Sequence, residues 1–180
     1  MNTFFPKKIF LIGFIASGKS TIGKNLSSIL GYKFIDTDKE IERKLSSTIK
    51  DLINLEGEEK FREIEWELIK SMKNEDNIVV ALSSGAGASY SILDFIKKFA
   101  FVIFLNTPWN IILRRIEEKK ELLPQNIKIE GLYKIFVSRY EIYKKAHLVL
   151  NLYEYERMEE TSLRIERLIR EYFNEIPYNF

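Results

Sequence analysis

Five short apolar runs recur along the chain, and longer amphipathic stretches separate them. The runs are Lys8-Ile9-Phe10-Leu11-Ile12, Tyr32-Lys33-Phe34-Ile35, Ile78-Val79-Val80-Ala81-Leu82, Phe101-Val102-Ile103-Phe104-Leu105 and His147-Leu148-Val149-Leu150. Each carries β-branched or aromatic residues with little polar alternation, which is the pattern of parallel strands covered on both faces. The intervening stretches have helical periodicity. Lys19–Leu30 places Ile22, Leu26, Ile29 and Leu30 on one face, and Gly31 follows as a stop. Thr48 with Asp51 resembles a capping box opening a helix over Ile49–Leu55, and Glu58–Met72 carries Phe61, Ile64, Leu68, Ile69 and Met72 on one side. Pro108 suits the first helical position before Trp109–Glu118. Ile129–Tyr143 and Met158–Phe173 are two further amphipathic segments. Strands alternating with helices predict an α/β fold built on a parallel sheet with helices on both faces.

Composition narrows the chemistry. The 180 residues fit a single domain over 1–180, without an internal repeat or a low-complexity linker. Hydrophobic residues at 46% and charged residues at 30% exclude a wholly disordered or fibrous chain. The 28 basic and 26 acidic side chains leave +2, which gives no electrostatic case for a nucleic-acid partner. Residues 1–12 lack a signal-like apolar core, and no run reaches the roughly 18 apolar residues of a membrane span. A cytoplasmic protein without a membrane partner is expected. The chain has no Cys, which excludes a disulfide scaffold, a thiolate zinc site and a Cys nucleophile. One His, His147, argues against a multi-His metal site or a Ser-His triad and reads as structural. Catalysis falls to Asp, Glu, Lys, Arg, Ser and backbone amides.

Gly13-Phe14-Ile15-Ala16-Ser17-Gly18-Lys19-Ser20-Thr21 matches G-x-x-x-x-G-K-[ST], with a strand before it and an amphipathic helix after it. Gly13 and Gly18 let the backbone wrap a phosphate, and the amides of Ala16, Ser17, Gly18 and the residues to Thr21 point inward. Lys19 is placed to reach the β- and γ-phosphates. The Ser20 hydroxyl can complete a Mg²⁺ shell, and Thr21 lies near the α-phosphate. A Gly-rich strand-to-helix turn without a ligand is the bland alternative.

Three further blocks accompany this loop: Phe34-Ile35-Asp36-Thr37-Asp38, Gly57-Glu58-Glu59-Lys60-Phe61-Arg62-Glu63-Ile64-Glu65, and Ser138-Arg139-Tyr140-Glu141-Ile142-Tyr143. Together they resemble the shikimate kinase family over almost the whole chain. The resemblance implies a nucleoside-monophosphate-kinase-like P-loop fold. Its five-stranded parallel sheet has the order 2-3-1-4-5, with a helical acceptor region about 38–72 and a lid about 116–128. It implies transfer of the ATP γ-phosphoryl to the 3-hydroxyl of shikimate in aromatic amino-acid biosynthesis, by a monomer. The nucleotide would meet Gly13, Ala16, Ser17, Gly18, Lys19, Ser20, Thr21, Arg115 and Lys120. Lys19, Asp38 and Lys120 would be catalytic; Asp38, Arg62, Ser84, Gly85 and Arg139 would bind the acceptor.

The residues bear on this independently, since phosphoryl transfer needs positioning and charge neutralisation. Asp36 ends a strand beside the loop, so Ser20 and Asp36 can hold Mg²⁺, the latter through water. Asp36 and Asp38 could also simply open the next helix. Cations beside Asp38 are expected to hold its carboxyl low, so it orients the hydroxyl first and accepts its proton second. Arg62 and Arg139 have the planar fork that binds a carboxylate, although a helix-surface role is the alternative for each. Glu65 can orient Arg62 from three residues on.

Two departures stand out. The family has three glycines after the third strand, where this chain has Leu82-Ser83-Ser84-Gly85-Ala86. Ser84 could crowd the acceptor or offer it a hydroxyl, and Gly87 could supply flexibility. The family's lid has R-P-L-L, where this chain has Lys119-Lys120-Glu121-Leu122-Leu123-Pro124 in a charged, mobile-looking segment. Lys120 offers a point charge without the Arg fork, and Arg114 and Arg115 stand where the family places an Arg against the adenine. Trp66 and Trp109 read as packing residues. The Glu154–Glu160 stretch, expected beside the base, lacks the family's usual pattern. Three functions stay open on these residues: the family kinase, a kinase of another small hydroxylated acid, and a nucleotide-binding regulatory protein without turnover.

Overall fold

The computed structural model describes residues 5–119 and 128–175. The expected lid position Lys120 and the tail beyond residue 175 lie outside the described residues. The strands are β1 (Lys8–Ile12), β2 (Lys33–Asp36), β3 (Ile78–Ala81), β4 (Phe101–Asn106) and β5 (Leu148–Asn151), within one residue of the apolar runs at most ends. They form one parallel sheet in the order β2-β3-β1-β4-β5.

The helices are α1 (Lys19–Leu30), α2 (Thr37–Leu45), α3 (Ile49–Ser71), α4 (Tyr90–Ile96), α5 (Trp109–Glu118), α6 (Ile129–Tyr143) and α7 (Met158–Glu175). The sheet's two faces are dry on both sides, which is why its strands do not alternate. Ile9, Leu11 and Ile103 pack under α1 and α7 against Ile22, Leu26, Ile165 and Ile169. Phe10, Ile12, Val80 and Phe104 face the other way, toward Phe61 and Ile69 of α3, Ile112 of α5 and Tyr143 of α6.

Some local expectations hold and others need correction. The two helical segments expected over 49–55 and 58–72 are both present; they run together as α3 and are separated by a kink at Gly57, whose φ of 86° and ψ of 164° are not helical. Thr48 caps it by accepting the Asp51 N–H at 3.1 Å, and its hydroxyl donates to the Asp51 carboxylate at 2.7 Å. Pro108 is the N-cap of α5 and not its first residue, with ψ at 145°. Gly87 has a packing role that the sequence does not show: a Cβ there would stand 3.1 Å from the Ile12 Cβ, so the glycine lets its turn close onto β1. Trp66 stacks edge-on against Phe95, and Trp109 packs on Phe14, Tyr133 and Phe136.

His147 shows why a lone histidine belongs to the fold. Its Nδ1 accepts the Val102 N–H at 3.0 Å, just before β5, and its ring stacks on Phe101. Burial, with the Lys97 cation adding to it, pulls its pKa down to about 4 from 6.5. The unfolded chain takes up this proton first, so native stability is full above about 6.5 and falls as the pH drops toward 4. Scanning calorimetry across that window should record a falling Tm. His147→Asn, whose amide oxygen stands where Nδ1 does and can accept the same N–H without titrating, should flatten the decline. No helix among the described residues is long and apolar enough to cross a membrane.

Candidate active site

Parallel α/β sheets open a crevice at the carboxyl ends of their strands. Here β1, β3 and β2 end side by side, with Leu11 and Asp36 both registered against Ala81. The loop after β1 is Gly13–Gly18, the loop after β3 is Leu82–Gly85, and β2 runs into α2 at Asp36. The three segments after β1, β2 and β3 therefore open onto one edge.

The loop after β1 is built from unusual backbone. Gly18 caps α1 with φ at 101°, and a Cβ on Gly13 would lie 2.9 Å from the Ser17 hydroxyl and 3.0 Å from the Leu105 carbonyl. Ala16 also takes a positive φ, 59°, which is strained for a residue with a Cβ. Two contacts brace the curve from outside: Thr107 Oγ1 donates to the Ser17 carbonyl at 3.0 Å and Arg115 Nη1 to the Ala16 carbonyl at 2.9 Å. Arg115, Lys19, Ser20 and Thr21 line a cavity of about 530 Å³ with Lys119 and Met158. Arg114 turns away and pairs with Glu154.

Lys19 folds into the loop, where its ammonium donates to the carbonyls of Gly13 and Phe14 at 3.0 and 2.9 Å. Burial pulls its pKa down to about 8, although the Asp38 and Asp36 carboxylates favour its charged form. Ser20 Oγ donates to Asp36 Oδ2 at 2.6 Å, and Asp36 also accepts the Lys39 N–H at 3.4 Å as the cap of α2. Asp36 thus combines the two roles that the sequence left as alternatives of position: it opens the helix and faces the loop.

Asp38 departs from expectation. Its pKa is pushed up to about 6, not held low. Burial is the main cause and the Asp36 carboxylate the next, while the Lys19 ammonium only partly offsets them. The sequence shows which charges are close, but not how much water is excluded.

Arg62 and Arg139 meet at the turn after β3, although they come from α3 and α6. Arg62 Nη1 donates to Glu65 Oε2 at 2.8 Å and Nη2 to Glu58 at 2.9 Å. Arg139 Nη1 donates to Ser84 Oγ at 3.3 Å, and its guanidinium lies over the Phe14 ring. Gly85 leaves room for Arg62, since a Cβ there would stand 2.8 Å from Nη1. The structure therefore gathers Lys19, Ser20, Asp36, Asp38, Arg62, Ser84, Gly85 and Arg139 around one crevice, and it brings Arg115 to the outer wall of the loop. Lys120 is outside the described residues. Sequence reasoning gave Ser83 only as a replaced glycine and Thr37 and Tyr143 only as members of motif blocks, without a role, and it missed Thr107; all four are buried beside the site, a signal the pattern of chemistry-bearing residues does not carry.

The family model for shikimate kinase matches residues 15–170 of this chain. A shikimate kinase from Sulfurihydrogenibium sp. (strain YO3AOP1) is 37% identical over 147 residues, covering 81% of this chain and 87% of the relative. The structure of an Acinetobacter baumannii shikimate kinase in complex with shikimate superposes with a TM-score of 0.83 at 27% identity, covering 93% of this chain and 94% of the other. That of the Aquifex aeolicus shikimate kinase gives 0.80 at 28% identity, covering 92% and 97%.

Proposed function

The chain belongs to the shikimate kinase family, and from that premise we propose that it transfers the ATP γ-phosphoryl group to a hydroxyl of shikimate. The observation that carries the acceptor reading is the convergence of two guanidiniums, from α3 and α6, on the Ser84–Gly85 turn beside the half-buried Asp38. Two planar forks beside a carboxyl of raised pKa suit a small acid with a hydroxyl to deprotonate.

Each residue has work that its surroundings support. The loop amides and the Lys19 ammonium neutralise the transferring phosphates, with Lys19 exchanging its two carbonyl partners for phosphate oxygens. Arg62 and Arg139 hold the acceptor carboxylate and so fix the hydroxyl near Asp38. Asp38, ionised above pH about 6, accepts the hydroxyl proton as the new P–O bond forms and the bond to the ADP oxygen breaks.

The metal reading is tested by the donors themselves. Among the described residues no cluster of three His, Cys, Asp or Glu could cage an ion. The Ser20 hydroxyl and the Asp36 carboxylate, 2.6 Å apart, nevertheless suit Mg²⁺, which takes one or two protein oxygens and completes its shell with phosphate and water. Ser20 would hold it directly and Asp36 through water, and Mg²⁺ would supply charge neutralisation on the ATP phosphates.

A coupled assay of ADP release with Mg-ATP and shikimate tests the proposal. Acceptor-dependent release supports it; nucleotide binding without such release overturns it. Arg139→Ala should raise the KM for shikimate about tenfold or more, the cost of a charged hydrogen bond, and leave the KM for ATP nearly unchanged. Equal changes in both would remove Arg139 from the acceptor site.

A further inference from the structure

The two serines after β3 stand where the family resemblance places glycines, and their hydroxyls are both engaged. Ser83 is buried, and its Oγ donates to Glu65 Oε1 and accepts the Ala86 N–H at 3.1 Å. Glu65 is wholly buried, and its other oxygen accepts from Arg62. Ser84 Oγ accepts from Arg139. Each arginine is therefore tied to one serine, Arg62 through Glu65 and Arg139 directly.

The serines are rigid enough to act as anchors. The Ser83 N–H donates to Thr37 Oγ1 at 2.9 Å, and Thr37 donates on to the Ala81 carbonyl at 3.3 Å. The Ser84 carbonyl accepts the Tyr143 hydroxyl at 2.6 Å. The turn is thus pinned to α2 on one side and α6 on the other. A free arginine side chain carries rotamer entropy, which binding must otherwise remove.

We propose that Ser83 and Ser84 are positioning residues that set the two guanidiniums for a carboxylate before the acceptor arrives. The inference rests on the acceptor reading above. In the absence of the Ser83 hydroxyl, the buried Glu65 oxygen loses its donor and Arg62 loses a fixed partner. In the absence of the Ser84 hydroxyl, Arg139 keeps the Phe14 ring and the Tyr143 hydroxyl but loses its tie to the turn.

The test has two arms. In kinetics, Ser83→Ala and Ser84→Ala should each raise the KM for shikimate about five- to tenfold, as the loss of one net hydrogen bond predicts, with kcat and the KM for ATP within about twofold. The Ser83→Ala effect should vanish in an Arg62→Lys background and persist in Arg139→Lys, with the reverse for Ser84→Ala. Effects that add in every background, or that move both KM values equally, would overturn the proposal. The second arm needs no substrate. ¹⁵N spectra of the arginine side chains should show slowed rotation of the Arg62 guanidinium in the parent protein and its release in Ser83→Ala. An Arg62 signal indifferent to Ser83 would also overturn it. A parent protein that never turns over shikimate, but whose Arg62 signal responds to Ser83→Ala, would retain the positioning role and remove the acceptor assignment instead.

Discussion

Lys19→Met is expected to lower kcat by about three orders of magnitude, in the range found when a single preorganised donor is removed from a developing anion. The methionine keeps the length of the stem but removes the charge that the loop surrounds. In the parent, this ammonium sits 3.0 and 2.9 Å from the Gly13 and Phe14 carbonyls, so the loop holds it close to where a phosphate would lie. Its burial has a second effect. With the pKa drawn down to about 8, the ammonium begins to lose its proton within the ordinary working range. The change also removes the cation that favours the ionised form of Asp38, so the Asp38 pKa should rise above about 6. Stopped-flow or coupled kinetics at saturating Mg-ATP and shikimate measures the first effect. A kcat within tenfold of the parent would remove Lys19 from the transfer step.

Asp38→Asn should lower kcat by about 10²- to 10⁴-fold, the usual scale of a lost general base. It also makes a prediction about pH that the loss of rate alone does not. The pH profile of kcat/KM reports groups in the free enzyme. Asp38 must be ionised to accept a proton, so the rate should rise with pH through about 6. Lys19 must be protonated to meet phosphate, so the rate should fall through about 8. The parent should therefore give a bell with limbs near these two values. Asp38→Asn should lose the acid limb. It should also shift the alkaline limb downward, because the Asp38 carboxylate is the largest influence keeping Lys19 charged. A residual activity that kept the acid limb would assign that limb to another group.

The sheet was legible because its demands are local and repetitive. Strands wet on neither face leave uninterrupted apolar runs, and five of them gave the five strands. The loop after β1 was legible because a backbone wrapped around an anion needs glycine at fixed spacing. The elements that escaped did so for physical reasons. Helix α2 buries only Thr37 and Ile41 among nine mostly charged residues, too few to show a periodic stripe. Helix α4 is seven residues long and its signal is correspondingly short. Ala16 gives no hint of its left-handed backbone, because alanine has a Cβ and lacks the short polar side chain that lets Asn or Asp adopt it.

At the site, identity was easier to read than environment. Asp38 could be picked out by spacing, but its pKa depends on the water excluded by elements far away in sequence, and the expected direction was wrong. Ser83 could be seen only as a missing glycine. Its partner Glu65 lies in α3, and nothing in the order of residues says that their side chains touch.

The order β2-β3-β1-β4-β5 has a consequence for how the protein is made. β1 emerges first from the ribosome, but both of its neighbours, β3 and β4, are encoded far downstream. At about 5–20 residues per second, the first strand waits roughly several seconds for Ile78–Ala81 to be translated. During that interval the nascent chain carries a nucleotide loop with no sheet beneath it, and an apolar strand open on both edges. A transcript that slows translation before codon 78 would lengthen the exposure and favour capture by a chaperone.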